Sequence, residues 1–90
     1  MLEFEWDTQK ARTNESKHNI TFYEASEVFE DHHSSSVRDP DHSLEEARYL
    51  IFGVSKSGKY LVVSYTERND RIRIISARQM TPRERKAYEQ

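Results

Sequence analysis

The chain has 90 residues, no cysteine and a formal net charge of −2. This length predicts one domain over residues 1–90, which buries about 60–65% of the surface of the unfolded chain. The absence of cysteine excludes disulfides and thiolate metal sites. No apolar run reaches the length of a membrane span, and the acidic segment 1–5 is unlike a signal peptide, so we expect a cytoplasmic protein that does not bind membranes.

Charge is distributed unevenly along the chain. Residues 1–46 carry 4 Lys/Arg and 12 Asp/Glu, whereas residues 47–90 carry 10 Lys/Arg and 4 Asp/Glu. This asymmetry indicates one surface for a polyanion and another for a basic partner. The alternative is that the two halves form ion pairs with each other in the folded chain.

The N-terminal part of the chain predicts a strand followed by a helix. Residues 2–6 alternate apolar and acidic side chains, which is typical of a short strand with one solvated face. Asp7 is placed to cap a helix that extends to about Lys17, and His18 follows directly. Asn19 tolerates the left-handed conformation that ends many helices. One face of this helix carries Lys10, Asn14 and Lys17.

A second helix is predicted to begin immediately. Thr21 and Glu24 form the pattern of a capping box, and the helix is expected to extend to about Glu30. Its apolar stripe, which we expect in the core, consists of Phe22, Ala25, Val28 and Phe29. The polar residues 31–44 predict a loop.

That predicted loop contains His32, His33 and His42. With the neighbouring aspartates they could form a metal site. However, adjacent histidines in a strand or helix point apart, and the spacing matches no known type of site. We therefore expect solvated histidines, no metal site and no cofactor.

Three strands of an antiparallel meander are predicted next. They cover residues 48–54, 60–66 and 71–78, with turns at Ser57-Gly58 and Asn69-Asp70. Alternation assigns to the core face Leu50, Phe52, Val54, Leu61, Val63, Ile72 and Ile74. The opposite face then carries Tyr49, Ile51, Tyr60, Val62, Arg71, Arg73 and Ile75. Such a mixture is suited to hold an anion, although an amphipathic strand with solvated arginines has the same pattern.

The C-terminal segment predicts a third helix. Thr81, Pro82 and Glu84 form a strong helix-start signal, and the helix is expected to end at about Glu89. Its basic residues are Arg83, Arg85 and Lys86. The predicted fold is therefore α+β, with the order strand, two helices, three-stranded antiparallel meander and C-terminal helix.

The order of these elements, together with specific sequence words, resembles the BrnT family of type II toxins. The words are Phe4-Glu5-Trp6-Asp7, Lys17-His18, Phe22-Tyr23-Glu24-Ala25, Val28-Phe29, Arg73-Ile74-Ile75-Ser76-Ala77-Arg78 and Arg83-Glu84-Arg85. Asn19 departs from the family pattern, which usually has glycine there. We expect the turn to survive, because asparagine is the mildest replacement for a left-handed glycine.

The resemblance implies a RelE-like fold and a ribonuclease toxin that inhibits translation and growth. It also implies two partners: an RNA substrate, either free or on the ribosome, and a BrnA-like antitoxin that neutralises the toxin. DNA would be contacted only indirectly, through a DNA-binding domain of the antitoxin.

Metal-independent RNA cleavage requires a deprotonated ribose 2′-OH, a stabilised phosphorane and a protonated leaving oxygen. His18 is the candidate for proton transfer, Lys17 for binding phosphate or the oxyanion, and Glu67 is a second candidate for the general base. Arginine suits charge stabilisation, and the candidates are Arg71, Arg73 and Arg78. The structural alternatives are a helix-end histidine bonded to backbone carbonyls for His18, and an ion pair with Glu84 for Arg78.

RNA binding outside the catalytic set is assigned to two tyrosines and two arginines. Tyr49 and Tyr60 could stack on bases, or form a cross-strand packing pair instead. Arg83 and Arg85 are the basic candidates on the last helix. Two other functions compete with the ribonuclease: a non-catalytic module that binds protein or nucleic acid, and a metal-dependent enzyme that uses the histidines of residues 31–42.

Overall fold

A computed structural model describes residues 2–42 and 46–90, with His42 described by its backbone. The α+β class is confirmed. The elements are β1 (Glu3–Glu5), α1 (Thr8–His18), α2 (Phe22–Ser26), β2 (Ser35–Arg38), β3 (Tyr49–Val54), β4 (Tyr60–Arg68), β5 (Arg71–Gln79) and α3 (Pro82–Tyr88). Two short 3-10 helices cover Glu27–Glu30 and Pro40–His42. None of the helices in the described ranges is long and apolar enough to span a membrane.

The ends of α1 follow the local sequence signals. Asp7 caps α1, because its carboxylate accepts a hydrogen bond of 3.0 Å from the backbone N–H of Lys10. This bond is the main reason that the pKa of Asp7 lies below its usual range. Asn19 ends the helix in the left-handed region, at φ 58°. Both predictions are confirmed.

The second helix begins as predicted but ends early. Thr21 accepts a hydrogen bond of 3.0 Å from the backbone N–H of Glu24. The Glu24 carboxylate accepts from Ser55 at 2.9 Å and from Ser57, both in the turn between β3 and β4. After Ser26 the backbone tightens into the 3-10 helix, so the single helix predicted to Glu30 is replaced by two shorter elements.

The sheet has five strands in the order β1-β5-β4-β3-β2. β3 pairs antiparallel with β4, and β4 pairs antiparallel with β5. The sheet is larger than predicted, because β2 adds antiparallel to β3 and β1 adds parallel to β5. The parallel register places Glu3 beside Arg71 and Glu5 beside Arg73, which brings the acidic N-terminus to the basic strand.

The loop prediction for residues 31–44 is wrong for Ser35–Arg38, which form β2. Every residue of β2 is exposed, so the strand carries no alternation of apolar and polar side chains. Its pairing with β3 holds it in place. Residues 43–44 of the predicted loop lie outside the described residues.

The core lies between the sheet and the segment that contains α1, α2 and the first 3-10 helix. Its buried members are Ile20, Phe22, Ala25, Val28, Ile51, Leu61, Val63, Tyr65, Ile72, Ile74 and Ala77. Phe4, Trp6 and Phe29 pack against it and remain partly exposed. The Phe4 and Phe29 rings meet edge to face, with centroids 5.2 Å apart. The predicted apolar stripe of the second helix is thus confirmed as core.

The face prediction for β3 is wrong by one residue. Ile51 is buried opposite Val63, and Gly53 is buried opposite Leu61. The side chains predicted for the core, Leu50, Phe52 and Val54, instead share the opposite face, which we call the second face. Tyr49 is likewise turned to the core. The error arises from the turn of five residues that joins β3 to β4. This turn pairs Val54 with Tyr60, so Val54 lies on the same face of the sheet as Tyr60 and not on the face of Leu61.

Helix α3 packs on the second face. Both halves of its predicted capping box are present between Thr81 and Glu84, which confirms the start signal. The Tyr88 ring meets the Tyr60 ring edge to face at 5.9 Å, and the Tyr88 hydroxyl donates to the Asp31 carboxylate. Burial and this hydrogen bond raise the pKa of Tyr88 to about 12. Asp31 also accepts from the backbone N–H of Val54 at 2.9 Å, so one carboxylate joins α3 to the sheet.

Candidate functional site

A shallow pocket of about 250 Å³ lies between α1 and β5, and we call it the α1 pocket. Helix α1 contributes Gln9, Lys10, Thr13, Asn14, Lys17 and His18. Strand β5 contributes Ile75 and Ser76. The register between β4 and β5 shifts here, because Ile74 pairs with Tyr65 and Ser76 pairs with Ser64. Ile75 is the extra residue of this bulge, and such bulges redirect side chains away from the regular alternation.

Asn14 fixes the position of α1 against β5. It is buried, with 6% of its surface exposed. Its Oδ1 accepts a hydrogen bond of 3.0 Å from the backbone N–H of Ala77, and its Nδ2 donates one of 3.1 Å to the carbonyl of Ile20. The amide thus joins the strand to the turn that follows α1. Lys17 and His18 lie between Asn14 and Ile20 in sequence, so these hydrogen bonds fix the part of α1 that carries them.

The α1 pocket is cationic. Lys10, Lys17 and His18 line it, and no aspartate or glutamate does. None of the three side chains makes an ion pair with any residue in the ranges 2–42 and 46–90. The His18 ring also makes no hydrogen bond there, so the structural alternative of a bond to backbone carbonyls is not observed. The predicted pair Lys17 and His18 is therefore brought together, with the lysine charge and the histidine ring both available to a ligand.

The arginines of β5 have carboxylate neighbours. Arg73 lies 2.9 Å from Glu5, measured from Nη1 to Oε2. Arg71 is more exposed and lies 3.6 Å from Glu3 and 3.9 Å from Glu5. The parallel pairing of β1 with β5 produces both contacts. Neither arginine lines the α1 pocket, so the predicted catalytic set is not brought together in one place.

Arg78 forms a two-pronged ion pair with Glu84. Its Nη1 and Nη2 donate to the two carboxylate oxygens at 2.8 and 3.0 Å. The hydrogen bonds from Arg78 are the main reason that the pKa of Glu84 falls to about 2. The same pair raises the pKa of Arg78. This geometry favours the structural alternative, in which Arg78 anchors the first turn of α3.

Glu67 lies apart from the predicted proton-transfer histidine. It is exposed at the end of β4 and lines a pocket of about 420 Å³ at the β4–β5 turn, together with Arg71. Lys17 and His18 line the α1 pocket instead. The geometry therefore gives Glu67 no shared pocket with His18.

The RNA-binding candidates are divided as well. Tyr49 stacks on Tyr65 with centroids 5.5 Å apart and packs against the core, so its predicted place on the second face is wrong and the packing alternative holds. The Tyr60 ring is covered by the guanidinium of Arg85, 3.9 Å from its centroid. Arg83 is exposed at the cleft between α3 and strands β2 and β3, and it makes no ion pair in the described part of the chain.

Ion pairs between the acidic and basic halves of the chain are extensive. Besides the contacts to β5, they join Glu24 to Lys59, Glu30 to Lys56 and Glu46 to Arg68. Burial raises the pKa of Glu24, but hydrogen bonds from Ser57, Ser55 and Lys59 outweigh it, and the pKa lies below its usual range. The alternative interpretation of the charge asymmetry, internal pairing, therefore applies to much of the basic half.

No group of three histidine, aspartate or glutamate side chains stands close enough to hold a metal ion in residues 2–42 and 46–90. His32 and His33 are exposed. The side chain of His42, the third histidine considered for such a site, lies outside the described part.

The sequence interpretation missed the roles of Asn14 and Asp31. Asn14 was recognised only as part of a polar helix face, and Asp31 only as a loop residue. The sequence does carry a signal for Asn14. A helix that packs on a sheet normally presents an apolar stripe to it, and α1 has no such stripe, so a polar residue had to fill that position. Nothing in the sequence near Asp31 indicates that its partners are Val54 and Tyr88, which are distant along the chain.

Comparison with known proteins identifies the family of this chain. Residues 6–84 match the family of the ribonuclease toxin BrnT of type II toxin-antitoxin systems. The chain belongs to the BrnT family. The crystal structure of the Brucella abortus ribonuclease toxin BrnT is similar, with a TM-score of 0.65 and 19% identity over 90% of this chain and 99% of that chain. At this identity the likeness shows the fold alone. No curated protein sequence matches the chain.

Membership of the BrnT family supplies the coarse function. The chain is a ribonuclease toxin of a type II toxin-antitoxin system, which implies an RNA substrate and an antitoxin partner. The matched range contains the α1 pocket, the whole of β5 and Glu84, so every candidate of the predicted catalytic set lies inside it.

Proposed function

We propose that this BrnT chain cleaves RNA without a metal ion and does so at the α1 pocket. The observation that carries the proposal is the pair Lys17 and His18, which line one pocket with no acidic side chain. An RNA phosphate brought there meets the Lys17 ammonium group, whose charge is not neutralised by the described part of the protein, beside the His18 ring, which makes no hydrogen bond there. Each candidate arginine of β5, in contrast, faces a carboxylate.

In the proposed reaction, the His18 imidazole accepts the proton of the ribose 2′-OH, since histidine ordinarily titrates near neutral pH. The 2′-oxygen bonds to phosphorus and the bond to the 5′-oxygen breaks. The Lys17 ammonium group stabilises the negative charge that develops on the phosphoryl oxygens. The leaving 5′-oxygen takes a proton from water, to which this shallow pocket is open. The products are a 2′,3′-cyclic phosphate and a 5′-hydroxyl.

Arg71 and Arg73 are proposed to bind the RNA backbone by exchanging Glu3 and Glu5 for phosphates. Their exposure supports such an exchange, because 53% of the Arg71 side chain and 30% of the Arg73 side chain are accessible. Ion pairs at this exposure contribute only about 0–1 kcal/mol, so the glutamates are weak competitors. Arg83, which is free of ion pairs in the described residues, is proposed to extend the RNA-binding surface.

The biological setting is proposed from the family. Cleavage of RNA would inhibit translation and growth in the cytoplasm, and a BrnA-like antitoxin would bind the toxin and suppress cleavage. The isolated chain is expected to show negligible binding to operator DNA, because the DNA-binding domain belongs to the antitoxin. Tight, sequence-specific DNA binding by the isolated chain would contradict this part of the proposal.

The experiment is cleavage of a 5′-labelled RNA by the purified chain, with and without EDTA. The proposal predicts equal cleavage in both conditions and none of a DNA strand of the same sequence. Loss of cleavage in EDTA would indicate a metal-dependent enzyme. Absence of cleavage in both conditions, also when ribosomes are added, would indicate a non-catalytic binding module, for which the carboxylate-paired arginines provide a physical basis.

A further inference from the structure

Helix α1 turns a polar face to the sheet. Lys10, Thr13, Asn14, Lys17 and His18 all line the α1 pocket, at the spacing that places residues on one helical face. A helix on a sheet normally presents an apolar stripe there. In α1 the single buried residue is Asn14, which is polar. This face is therefore built around hydrogen bonds and charge rather than around apolar contact.

The two lysines of this face lie at opposite ends of the pocket wall. Asn14 is anchored between them, four residues after Lys10 and three before Lys17. Seven residues of α-helix correspond to a rise of about 10 Å. This backbone spacing lets each lysine contact its own phosphate along one extended RNA strand.

Lys10 has no internal ion-pair partner in the described residues. The charge of Asp7 interacts with that of Lys10. However, the Asp7 carboxylate is already bound to the backbone N–H of Lys10 at 3.0 Å, where it caps the helix. The lysine ammonium group is thus left for a solvent anion or a ligand.

We infer that Lys10 binds a backbone phosphate of the RNA next to the one held at Lys17, so that α1 carries a binding subsite beside the cleavage site. The inference rests on the proposed function and adds a residue to it. Lys10 acts in binding and touches no reacting atom. Its loss should therefore weaken RNA affinity and raise KM, while kcat stays unchanged.

The test uses an RNA strand with 2′-O-methyl groups throughout, which lacks the 2′-OH needed for cleavage. Its affinity for Lys10→Ala and Lys10→Gln is compared with that for Arg12→Ala over a range of salt concentrations. Arg12 is a matched control, because it is an exposed cation on α1 that does not line the pocket. Circular dichroism checks that all variants are folded.

Both Lys10 variants should bind about fivefold more weakly at 0.1 M salt, with a salt slope shallower by about 0.7, the counterion release of one single-strand phosphate contact. Arg12→Ala should match the wild type. Equal effects at the two positions, or no binding of the methylated RNA by the wild type, would overturn the inference. If Lys10 governs binding but natural RNA is not cleaved, Lys10 remains an RNA-binding residue of α1 and the proposed function fails.

Discussion

The ion pair between Arg78 and Glu84 allows a direct test of whether Arg78 is structural or catalytic. The variant Glu84→Gln removes the charge but keeps an amide oxygen that can accept from the backbone N–H of Thr81, as the carboxylate does at 2.9 Å. The measured effect should therefore report the ion pair rather than the helix cap. A second variant, Arg78→Gln, removes the other partner.

The size of the effect follows from the depressed pKa of Glu84. A fall from 4.5 to about 2 corresponds to about 3 kcal/mol at 1.36 kcal/mol per unit. Solvent screening reduces this value, because 26% of the Glu84 side chain and 42% of the Arg78 side chain are exposed. We expect Glu84→Gln to lower the free energy of unfolding by about 1–2 kcal/mol at neutral pH.

The pH dependence has a definite sign. Because the folded-state pKa of Glu84 is lowered, its contribution is present above pH 4.5 and is lost as pH falls toward 2. The difference between wild type and Glu84→Gln in urea unfolding should therefore shrink over that range. The double variant with Arg78→Gln should show a coupling of about 1–2 kcal/mol at neutral pH.

Two results would refute this reasoning. One is a stability difference that does not change between pH 7 and pH 3. The other is an Arg78→Gln chain that is folded by circular dichroism and yet cleaves no RNA, since a structural arginine leaves activity proportional to folded protein. The second result would return Arg78 to the catalytic set.

Three further perturbations test the fold and the charge arrangement. Ile74→Ala should cost about 2–5 kcal/mol in urea unfolding, and Phe52→Ala should cost less because Phe52 lies outside the core; the reverse order would mean that the assigned faces are inverted. Asn14→Leu should cost about 1–3 kcal/mol by leaving a backbone amide of β5 without its acceptor, and an unchanged stability would contradict the anchoring role. Glu5→Gln should tighten binding of 2′-O-methyl RNA about 2–5-fold by releasing Arg73, and weaker binding would exclude Arg73 from the RNA surface.

Elements that depend on local chemistry could be predicted from the sequence. Asp7 and Thr81 each bond to a backbone N–H three residues ahead, and Asn19 ends α1 by its own backbone preference. These interactions involve neighbours along the chain, so the residue types suffice to locate them. The same holds for the apolar alternation that defines β4 and β5.

Elements that depend on distant partners could not be predicted. β2 has no apolar face, and it is a strand because β3 lies beside it. The faces of β3 depend on the register that the turn between Val54 and Tyr60 sets. A shift of one residue in this register exchanges the two faces, and the observed register places Ile51 in the core and Phe52 outside it. The bulge in β5, which the residue types of the strand do not indicate, changes the alternation of side chains at Ile75.

The site shows the same division. Adjacent residues Lys17 and His18 could be recognised together, and the structure places them in one pocket. The ion pair of Arg78 with Glu84, six residues away, could be proposed from the sequence, but the partners of Arg71 and Arg73 could not, because they are set by the tertiary fold. Glu5 and Arg73 are 68 positions apart and meet through the parallel pairing of β1 with β5.

The most direct test of the central claim is single-turnover cleavage of labelled RNA by folded Lys17→Ala and His18→Ala chains. If the α1 pocket performs the chemistry, each variant should keep the wild-type circular dichroism spectrum and lose about 10²-fold or more in the cleavage rate. A folded His18→Ala chain that cleaves RNA at the wild-type rate would contradict the account.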